Sequence, residues 1–300
     1  MLRPTRLVLA LSLLIAAAIP SVAHGKAVIG ISENKPDMFT DQQFKDLGTK
    51  QVRVLVGWDV MSSKKAAGKA EKARFDLWMK GAKAGGYTVL LAFDKSKNGS
   101  KNPKPKQLVA QLKKLRKAYP GQIKQVSPWN EANLNKTPKQ AAEWYKAVKK
   151  ACKGCKIVAD VLDKPNLVSW TKKFNKELGS SKVKIWGLHN YVDVNNFSTK
   201  RTRAFLKVTK KGDVWLTETG GVVGRNTINN SHFADSGVDH AAKATTFLFD
   251  NIVKKQPRIK KVYIYNWNNN AAPEYLTWDS ALKDASGQLR PAYQIVLANR

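Results

Sequence analysis

Short strand-forming runs alternate with helix-forming runs eight times along this chain. Several of the strand-forming runs are continuously apolar, as expected for strands that are covered on both faces. The predicted strands lie at about residues 27–32, 51–56, 87–93, 123–128, 156–161, 183–188, 214–217 and 261–265. This alternation predicts the α/β class and a single-domain (β/α)8 TIM barrel. An open doubly wound sheet is the alternative, but no glycine-rich phosphate loop follows the first strand.

The first 23 residues have the composition of a secretory signal peptide. Arg3 and Arg6 give a charged start, an apolar run follows at 7–19, and Ala23 offers a cleavage site, with Gly25 as the alternative. No later apolar run approaches the roughly 18 residues of a membrane-spanning helix. We therefore expect residues 24–300 to form one secreted, extracellular domain without a transmembrane segment, and the cell wall is one place where it could reside.

The charge of the chain is strongly unbalanced. Its 53 Lys and Arg face 22 Asp and Glu, which gives a formal net charge of +31. This balance suits an acidic partner, and it equally suits a solvated coat of lysines. The lysines are spread over nearly every predicted helix, which favours the coat. No nucleic-acid-binding motif accompanies the charge, so we expect no specific nucleic-acid partner.

Cys152 and Cys155 are the only cysteines in the sequence. In an exported protein, a Cys-x-x-Cys pair is more often a short structural disulfide than a redox centre. Two thiols with no histidine close by make a poor zinc site. We predict a disulfide between Cys152 and Cys155, and we expect neither a metal nor a cofactor.

Polar and aromatic side chains gather near the ends of the predicted strands, where the active sites of such barrels lie. Two of only seven glutamates, Glu131 and Glu218, close the fourth and seventh strands. The other candidates are Arg53, Trp58, Asn130, Asp160, Asp163, His189, Tyr191 and Trp267. Carboxylates, amides and aromatic faces suit a sugar, whose hydroxyls need hydrogen-bond partners and whose C–H faces stack on tryptophan.

This combination resembles the clan A glycoside hydrolases, and within that clan glycoside hydrolase family 5, which includes cellulases and mannanases. The resemblance rests on Asn130-Glu131 after strand four, a Thr-Glu pair with Glu218 after strand seven, His-x-Tyr after strand six and Trp267 after strand eight. It spans the whole predicted barrel. Ala132 stands where family 5 usually has a proline.

The resemblance implies a retaining glycosidase in which Glu131 is the acid/base and Glu218 the nucleophile. It also implies that Asn130 binds the sugar 2-hydroxyl, Tyr191 hydrogen-bonds the nucleophile, Arg53 supports the nucleophile, His189 lies in the adjoining subsite and Trp267 is the stacking floor. Trp58 is a further candidate for substrate contact. We expect a poly- or oligosaccharide substrate, which could be anionic, and a monomeric enzyme.

Strands four and seven lie across such a barrel from each other, so their glutamates can face one bond from opposite sides. We predict the carboxyl separation of a retaining enzyme, about 5–5.5 Å, rather than the roughly 6.5–9.5 Å of an inverting one. The competing hypothesis is a barrel that binds a cell-wall or matrix polysaccharide without cleaving it. The intact carboxylate pair favours the enzyme, because a binding module has no need to keep it.

Overall fold

The computed structural model describes residues 26–225, 233, 235–269 and 278–300. Within them, eight parallel strands form a closed barrel in chain order. The barrel strands are β1 (Val28–Ser32), β2 (Gln51–Gly57), β3 (Thr88–Asp94), β4 (Ile123–Ser127), β5 (Lys156–Leu162), β6 (Ile185–His189), β7 (Asp213–Thr219) and β9 (Ile259–Tyr265). Two short strands outside the barrel, β8 (Gly224–Arg225) and β10 (Trp278–Asp279), pair in antiparallel fashion. The predicted (β/α)8 barrel is confirmed.

Helices connect the strands and cover the outside of the barrel. They are α1 (Gln42–Asp46), α2 (Ala66–Ala84), α3 (Pro105–Ala118), α4 (Ala132–Asn135), α5 (Pro138–Ala151), α6 (Leu167–Leu178), α7 (Tyr191–Asn195), α8 (Lys200–Thr209), α9 (Val238–Phe247) and α10 (Pro291–Ala298). Short 3-10 turns lie at Pro36–Phe39 and Val60–Ser62, and a π-helical segment, Leu248–Val253, continues α9.

Local sequence signals explain where several helices begin. The Thr137 side chain accepts a hydrogen bond from the backbone N–H of Gln140, and Pro138 occupies the first helical position of α5. Both features favour a helix start at this point, because proline has no N–H to leave unpaired there. Helix α2 begins at Ala66. Its Ala- and Lys-rich beginning is made of strong helix formers, which outweigh the glycine within it.

Two apolar clusters fill the molecule. One consists of side chains from five different strands and fills the barrel interior, as in other barrels of this size: Leu90, Val158, Ile185, Trp215 and Tyr263. The larger cluster lies between the strands and the surrounding helices. The strands are therefore covered on both faces, which accounts for their continuously apolar sequences.

Cys152 and Cys155 form the predicted disulfide, with their Cα atoms 5.4 Å apart. Cys152 caps the C-terminus of α5, and its backbone N–H donates to the carbonyl of Val148. The bond therefore ties the end of α5 to the residue just before β5.

The predicted signal peptide, residues 1–23, lies outside the described residues. Among the helices that the structure describes, none is both long enough and apolar enough to cross a bilayer. The longest, α2, carries charged side chains along its length, including Lys69, Glu71 and Lys72.

Candidate active site

A cleft of about 460 Å³ opens at the C-terminal ends of the barrel strands. Most of its walls come from segments that follow β1, β4, β5, β6, β7 and β9. The lining residues are Asn34, Leu55, Asn130, Glu131, Leu134, Leu162, Asp163, Lys164, Pro165, Tyr191, Val192, Arg201, Glu218, Phe233, Tyr265 and Trp278. Five of the candidate residues, Asn130, Glu131, Asp163, Tyr191 and Glu218, therefore share one cavity.

Glu131 and Glu218 face each other in this cleft. A carboxylate oxygen of Glu131 lies within 4.8 Å of one of Glu218. Glu131 follows β4 and has a left-handed backbone, with φ of 45°, which is a strained conformation for a residue with a Cβ. Glu218 lies within β7. The Glu131 side chain is 20% exposed and that of Glu218 10%, so both reach the cleft.

Arg53 lies beneath the carboxylates and is completely buried. Its Nη1 donates to Ser32 Oγ at 3.1 Å and to Glu218 Oε1. Its Nη2 donates to Asn130 Oδ1 at 2.7 Å and to Asp160 Oδ2 at 3.0 Å. Burial acts to lower the pKa of Arg53, but Glu218 and Asp160 outweigh it and raise the pKa. One guanidinium therefore orients groups from four different strands or strand ends.

His189, the last residue of β6, is also completely buried and lies between three carboxylates. Its Nδ1 is 2.9 Å from Glu131 Oε1 and 3.7 Å from Glu218 Oε2, and its Nε2 is 3.3 Å from Asp160 Oδ1. Burial acts to lower the pKa of His189, but Glu218 and Asp160 raise it to about 10. The imidazole is thus protonated at neutral pH, and both ring nitrogens donate.

Asp160 on β5 joins the two buried cations. It accepts hydrogen bonds from Arg53, from His189 and, at 2.5 Å, from the hydroxyl of Thr217. Burial acts to raise the pKa of Asp160, but His189 and Arg53 outweigh it and lower the pKa to about 2. Gly187 on β6 provides the space, since a Cβ there would lie 2.4 Å from Asp160 Oδ1.

Aromatic side chains form part of the cleft wall. The Tyr191 hydroxyl donates to Glu218 Oε2 at 3.4 Å, and Tyr265 lines the cleft at the end of β9. Burial raises the pKa of both phenols, and the nearby Glu218 raises it further, so they remain neutral donors. The Trp278 ring packs edge-on against Tyr191, with ring centroids 4.7 Å apart, and against Phe233 at 5.8 Å.

The predicted role of Trp267 as a stacking floor is wrong. Trp267 is 0% exposed, its Nε1 donates to Asp41 Oδ2 at 3.0 Å, and its ring packs against Phe44 of α1 and Tyr293 of α10. It lies two residues beyond the end of β9 and points into the helical layer. No face of the ring is therefore open to a sugar.

The predicted substrate contact of Trp58 is also wrong. Trp58 follows β2, is buried in the core cluster between strands and helices, and is not among the residues that line the cleft. Its position after a strand predicted access to the site, but the side chain packs into the apolar layer instead.

Arg53 and His189 are completely buried, so their side chains do not form the surface of the cleft. They act on the cleft through Glu131, Glu218 and Asn130, to which they donate hydrogen bonds. The contact between Arg53 and Glu218 that the resemblance implies is present. His189 lies under the carboxylates rather than in an adjoining subsite.

The sequence did not identify Tyr265 and Trp278 as cleft residues. Tyr265 ends β9, so the rule that selected other strand ends could have found it. Trp278 belongs to β10, a two-residue strand that lies after residues 270–277, which are outside the described part of the chain. A strand of two residues has no sequence periodicity from which the position of Trp278 could be inferred.

Glu131, His189 and Glu218 each offer a donor atom, and these atoms lie within 4.8 Å of one another. Such a set resembles a metal site in composition. However, Nδ1 of His189 already contacts both carboxylates, at 2.9 Å from Glu131 Oε1 and 3.7 Å from Glu218 Oε2. The three side chains therefore form a hydrogen-bonded charge network rather than a set of free ligands.

Comparisons with known proteins agree with this geometry. The family model described as "Glycosyl hydrolase catalytic core" matches residues 79–295. Xylanase B from Clostridium stercorarium F9 is 16% identical with a TM-score of 0.62, over 91% of this chain and 96% of that one. Xylanase 10B from Thermotoga petrophila RKU-1, in complex with xylobiose, is 11% identical with a TM-score of 0.63, over 91% and 94%.

A third similar structure is a family 39 glycoside hydrolase from the gut symbiont Bacteroides cellulosilyticus WH2. It is 13% identical with a TM-score of 0.58, over 90% of this chain and 62% of that one. No curated protein sequence matches the chain. At these identities, the structural likeness establishes the fold.

Proposed function

The chain belongs to the glycosyl hydrolase catalytic core family, and from this premise we propose a secreted retaining O-glycosidase with Glu131 as acid/base and Glu218 as nucleophile. The observation that carries the proposal is the approach of the two carboxylates in one cleft, with oxygens within 4.8 Å of each other. Retaining enzymes have carboxyl groups about 5–5.5 Å apart, whereas inverting enzymes leave about 6.5–9.5 Å for a water molecule.

The surroundings of Glu218 suit a nucleophile. Arg53 donates to one of its oxygens and Tyr191 to the other. Hydrogen bonds to a carboxylate favour its charged form and fix its direction. Glu218 is also the less exposed of the two carboxylates, so its attack on the anomeric carbon is shielded from water.

The surroundings of Glu131 suit a group that exchanges protons. It is the more exposed carboxylate, and His189 holds only one of its oxygens, Oε1, at 2.9 Å. In the first step Glu131 donates its proton to the glycosidic oxygen while Glu218 bonds to the anomeric carbon and the leaving sugar departs. In the second step Glu131 takes a proton from water, whose oxygen attacks the anomeric carbon and releases Glu218.

The substrate class follows from the cleft wall. Trp278, Tyr265 and Phe233 offer aromatic surface, and Asn34 and Asn130 offer amides, which together match the C–H faces and hydroxyls of a sugar. Two of the similar structures are described as xylanases, one with bound xylobiose, so xylan is a sensible first substrate to test. Membership of glycoside hydrolase family 5 remains a prediction, while the broader prediction of a glycoside hydrolase is confirmed by the family match.

The second candidate function is a barrel that binds polysaccharide without cleaving it. The buried network of Arg53, His189 and Asp160 argues against it, because a binding surface needs no such support beneath two carboxylates. The experiment is to incubate residues 24–300 with neutral and acidic polysaccharides and to follow the anomers released by NMR. Initial release of the retained anomer supports the proposal. Initial release of the inverted anomer contradicts the roles of Glu131 and Glu218.

Secretion is part of the proposal. It rests on the charged start at Arg3 and Arg6, the apolar run at 7–19 and the small residue Ala23. Expression of the full chain in a bacterial host, followed by N-terminal sequencing of protein outside the cytoplasm, tests it. A chain that begins at His24 is expected, and an uncleaved chain retained in the cytoplasm contradicts it.

A further inference from the structure

Two cations line one wall of the cleft next to the carboxylates. Lys164 lies in the loop between β5 and α6, and Arg201 lies in the first turn of α8. Both are partly buried. Arg201 Nη1 donates to the backbone oxygen of Asp163, the residue that precedes Lys164. The two side chains therefore extend from neighbouring points of the same wall.

Local hydrogen bonds fix the backbone of both cations. The N–H of Lys164 donates to the carbonyl of Leu162, and its own carbonyl accepts from the N–H of Leu167. The N–H of Arg201 donates to Asp193 Oδ1 at 3.1 Å. Their positions are thus set by the fold and not by a ligand.

Neither cation forms an ion pair within 4.0 Å of an acidic side chain in the described part of the chain, although the charge of Arg201 acts on Asp163 at longer range. The nearby acids accept hydrogen bonds from backbone N–H groups, while Asp163 Oδ1 has no hydrogen-bond partner within the described part of the chain. Asp163 accepts from the backbone N–H groups of Val192 and Asp193, and Asp193 accepts from those of Arg201 and Thr202.

The other acids of the cleft are held as well. Glu218 is bound by Arg53 and Glu131 by His189. A partly buried cation without a close ion pair is unfavourable, and an anionic group on a ligand would form that pair. Arginine offers a planar pair of donors that matches a carboxylate.

We propose that Lys164 and Arg201 form a subsite for the carboxylate of an acidic sugar, so that the substrate is a uronate-containing poly- or oligosaccharide. This inference rests on the proposed glycosidase function and names its substrate class. The subsite lies in the same cleft as the catalytic carboxylates.

The test measures binding to the Glu218→Gln protein, which keeps the cleft but does not turn substrate over. Calorimetric titrations compare two sets of ligands. The neutral set contains cello-, xylo- and manno-oligosaccharides, and the acidic set contains oligomers of glucuronate, mannuronate and galacturonate. At least one acidic oligomer is expected to bind more tightly than any neutral one.

Variants locate the source of that preference. Lys164→Gln should weaken binding of the acidic oligomer about tenfold, in line with the loss of a hydrogen bond to a charged group, and should leave neutral oligomers within about twofold. Arg201→Lys keeps the charge but removes the paired donors, and it should also weaken acidic binding. Lys172→Gln is the matched control. Lys172 is an exposed lysine on α6, and its replacement makes the same change in net charge as Lys164→Gln.

Each outcome decides the matter. Equal weakening by Lys164→Gln and Lys172→Gln would assign the preference to overall charge and overturn the subsite. Binding of neutral oligomers alone would overturn the uronate inference and leave the glycosidase function intact. If neither ligand set binds a Glu218→Gln protein whose thermal unfolding is unchanged, both the uronate subsite and the glycosidase function are contradicted.

Discussion

His189 donates a hydrogen bond from Nδ1 to Oε1 of Glu131 across 2.9 Å while its own side chain is completely buried. A buried imidazolium therefore supports the carboxylate that we propose as the acid/base. Its charge depends on neighbours that exist only in the folded protein, so the arrangement couples the site to pH.

The first prediction concerns that coupling. The pKa of His189 rises from 6.5 to about 10 on folding, because Glu218 and Asp160 outweigh the effect of burial. Below about pH 6.5 both the folded and unfolded states bind the proton, and the stabilisation is complete. As pH rises toward 10 only the folded state keeps it, so the free energy of unfolding should fall. Denaturant titrations at pH 6, 8 and 10 should show a steeper fall for wild type than for His189→Gln, and equal slopes would contradict the assignment.

The second prediction concerns the two glutamates. Glu131→Ala should reduce kcat on a polysaccharide by about 10²–10⁴-fold, the usual contribution of general acid catalysis. It should lose much less on aryl glycosides, whose leaving groups need no proton. Glu218→Gln should abolish turnover of both substrates. Glu177→Gln, an exposed glutamate on α6, serves as the control and should leave kcat and the unfolding temperature unchanged.

The third prediction separates two tryptophans. Trp267→Ala should lower the free energy of unfolding by about 3–5 kcal/mol, as is usual for large buried aromatics. Trp278→Ala should instead raise KM about tenfold, in line with the loss of a stacking platform, while Trp278→Phe should keep most of the affinity. Unfolding curves and kinetics on the same preparations test this, and a stable Trp267→Ala protein with weakened binding would reverse our assignment.

The fourth prediction concerns the disulfide. Cys152 and Cys155 are separated by three positions, so the loop they close is far shorter than the fifteen-residue loop for which chain entropy predicts about 3 kcal/mol. The double variant Cys152→Ala/Cys155→Ala should fold and lose less than that. Mass spectrometry under alkylating conditions should find no free thiol in the wild-type secreted protein.

The fifth prediction concerns the space at Gly187. A methyl group there would lie 2.4 Å from Asp160 Oδ1 and 2.8 Å from Thr217 Oγ1, which is closer than atoms can approach. Gly187→Ala should therefore displace Asp160, loosen Arg53 and His189 and reduce kcat. Gly154→Ala offers a comparison, because nothing lies within 4 Å of a Cβ there. Since φ is +81° at that position, it should affect stability but not kcat.

The sequence predicted the barrel and brought Glu131 and Glu218 together for one physical reason. Parallel strands of a closed barrel all end at the same rim, so two carboxylates at strand ends must lie near each other. The same rule explains why the predicted stacking role of Trp267 was wrong. It gives the height of a side chain along the barrel axis but not the direction in which the side chain points. Two residues past β9, the chain has left the strand, and Trp267 turns outward to Phe44 and Tyr293.

Asp160 and His189 show a second limit of sequence reasoning. Both were recognised as polar residues near strand ends, but their pairing depends on the register between β5 and β6, which places Asp160 opposite Gly187 and Leu162 opposite His189. Strand register is a property of the whole sheet and cannot be deduced from one strand. The absence of a close ion pair at Lys164 and Arg201 likewise emerged only once the hydrogen bonds of Asp163 and Asp193 were known.

The catalytic side chains that Arg53 connects come from both halves of the chain. The first half carries Arg53 and Glu131, while the second half carries Asp160, His189 and Glu218. If Cys152 and Cys155 are replaced by alanine, so that no disulfide joins the pieces, fragments that separate between α5 and β5 would each hold half of the hydrogen-bonding network and none of the activity. Activity regained on mixing the two fragments would therefore measure reassembly of the barrel directly, which makes this enzyme a natural candidate for a split reporter.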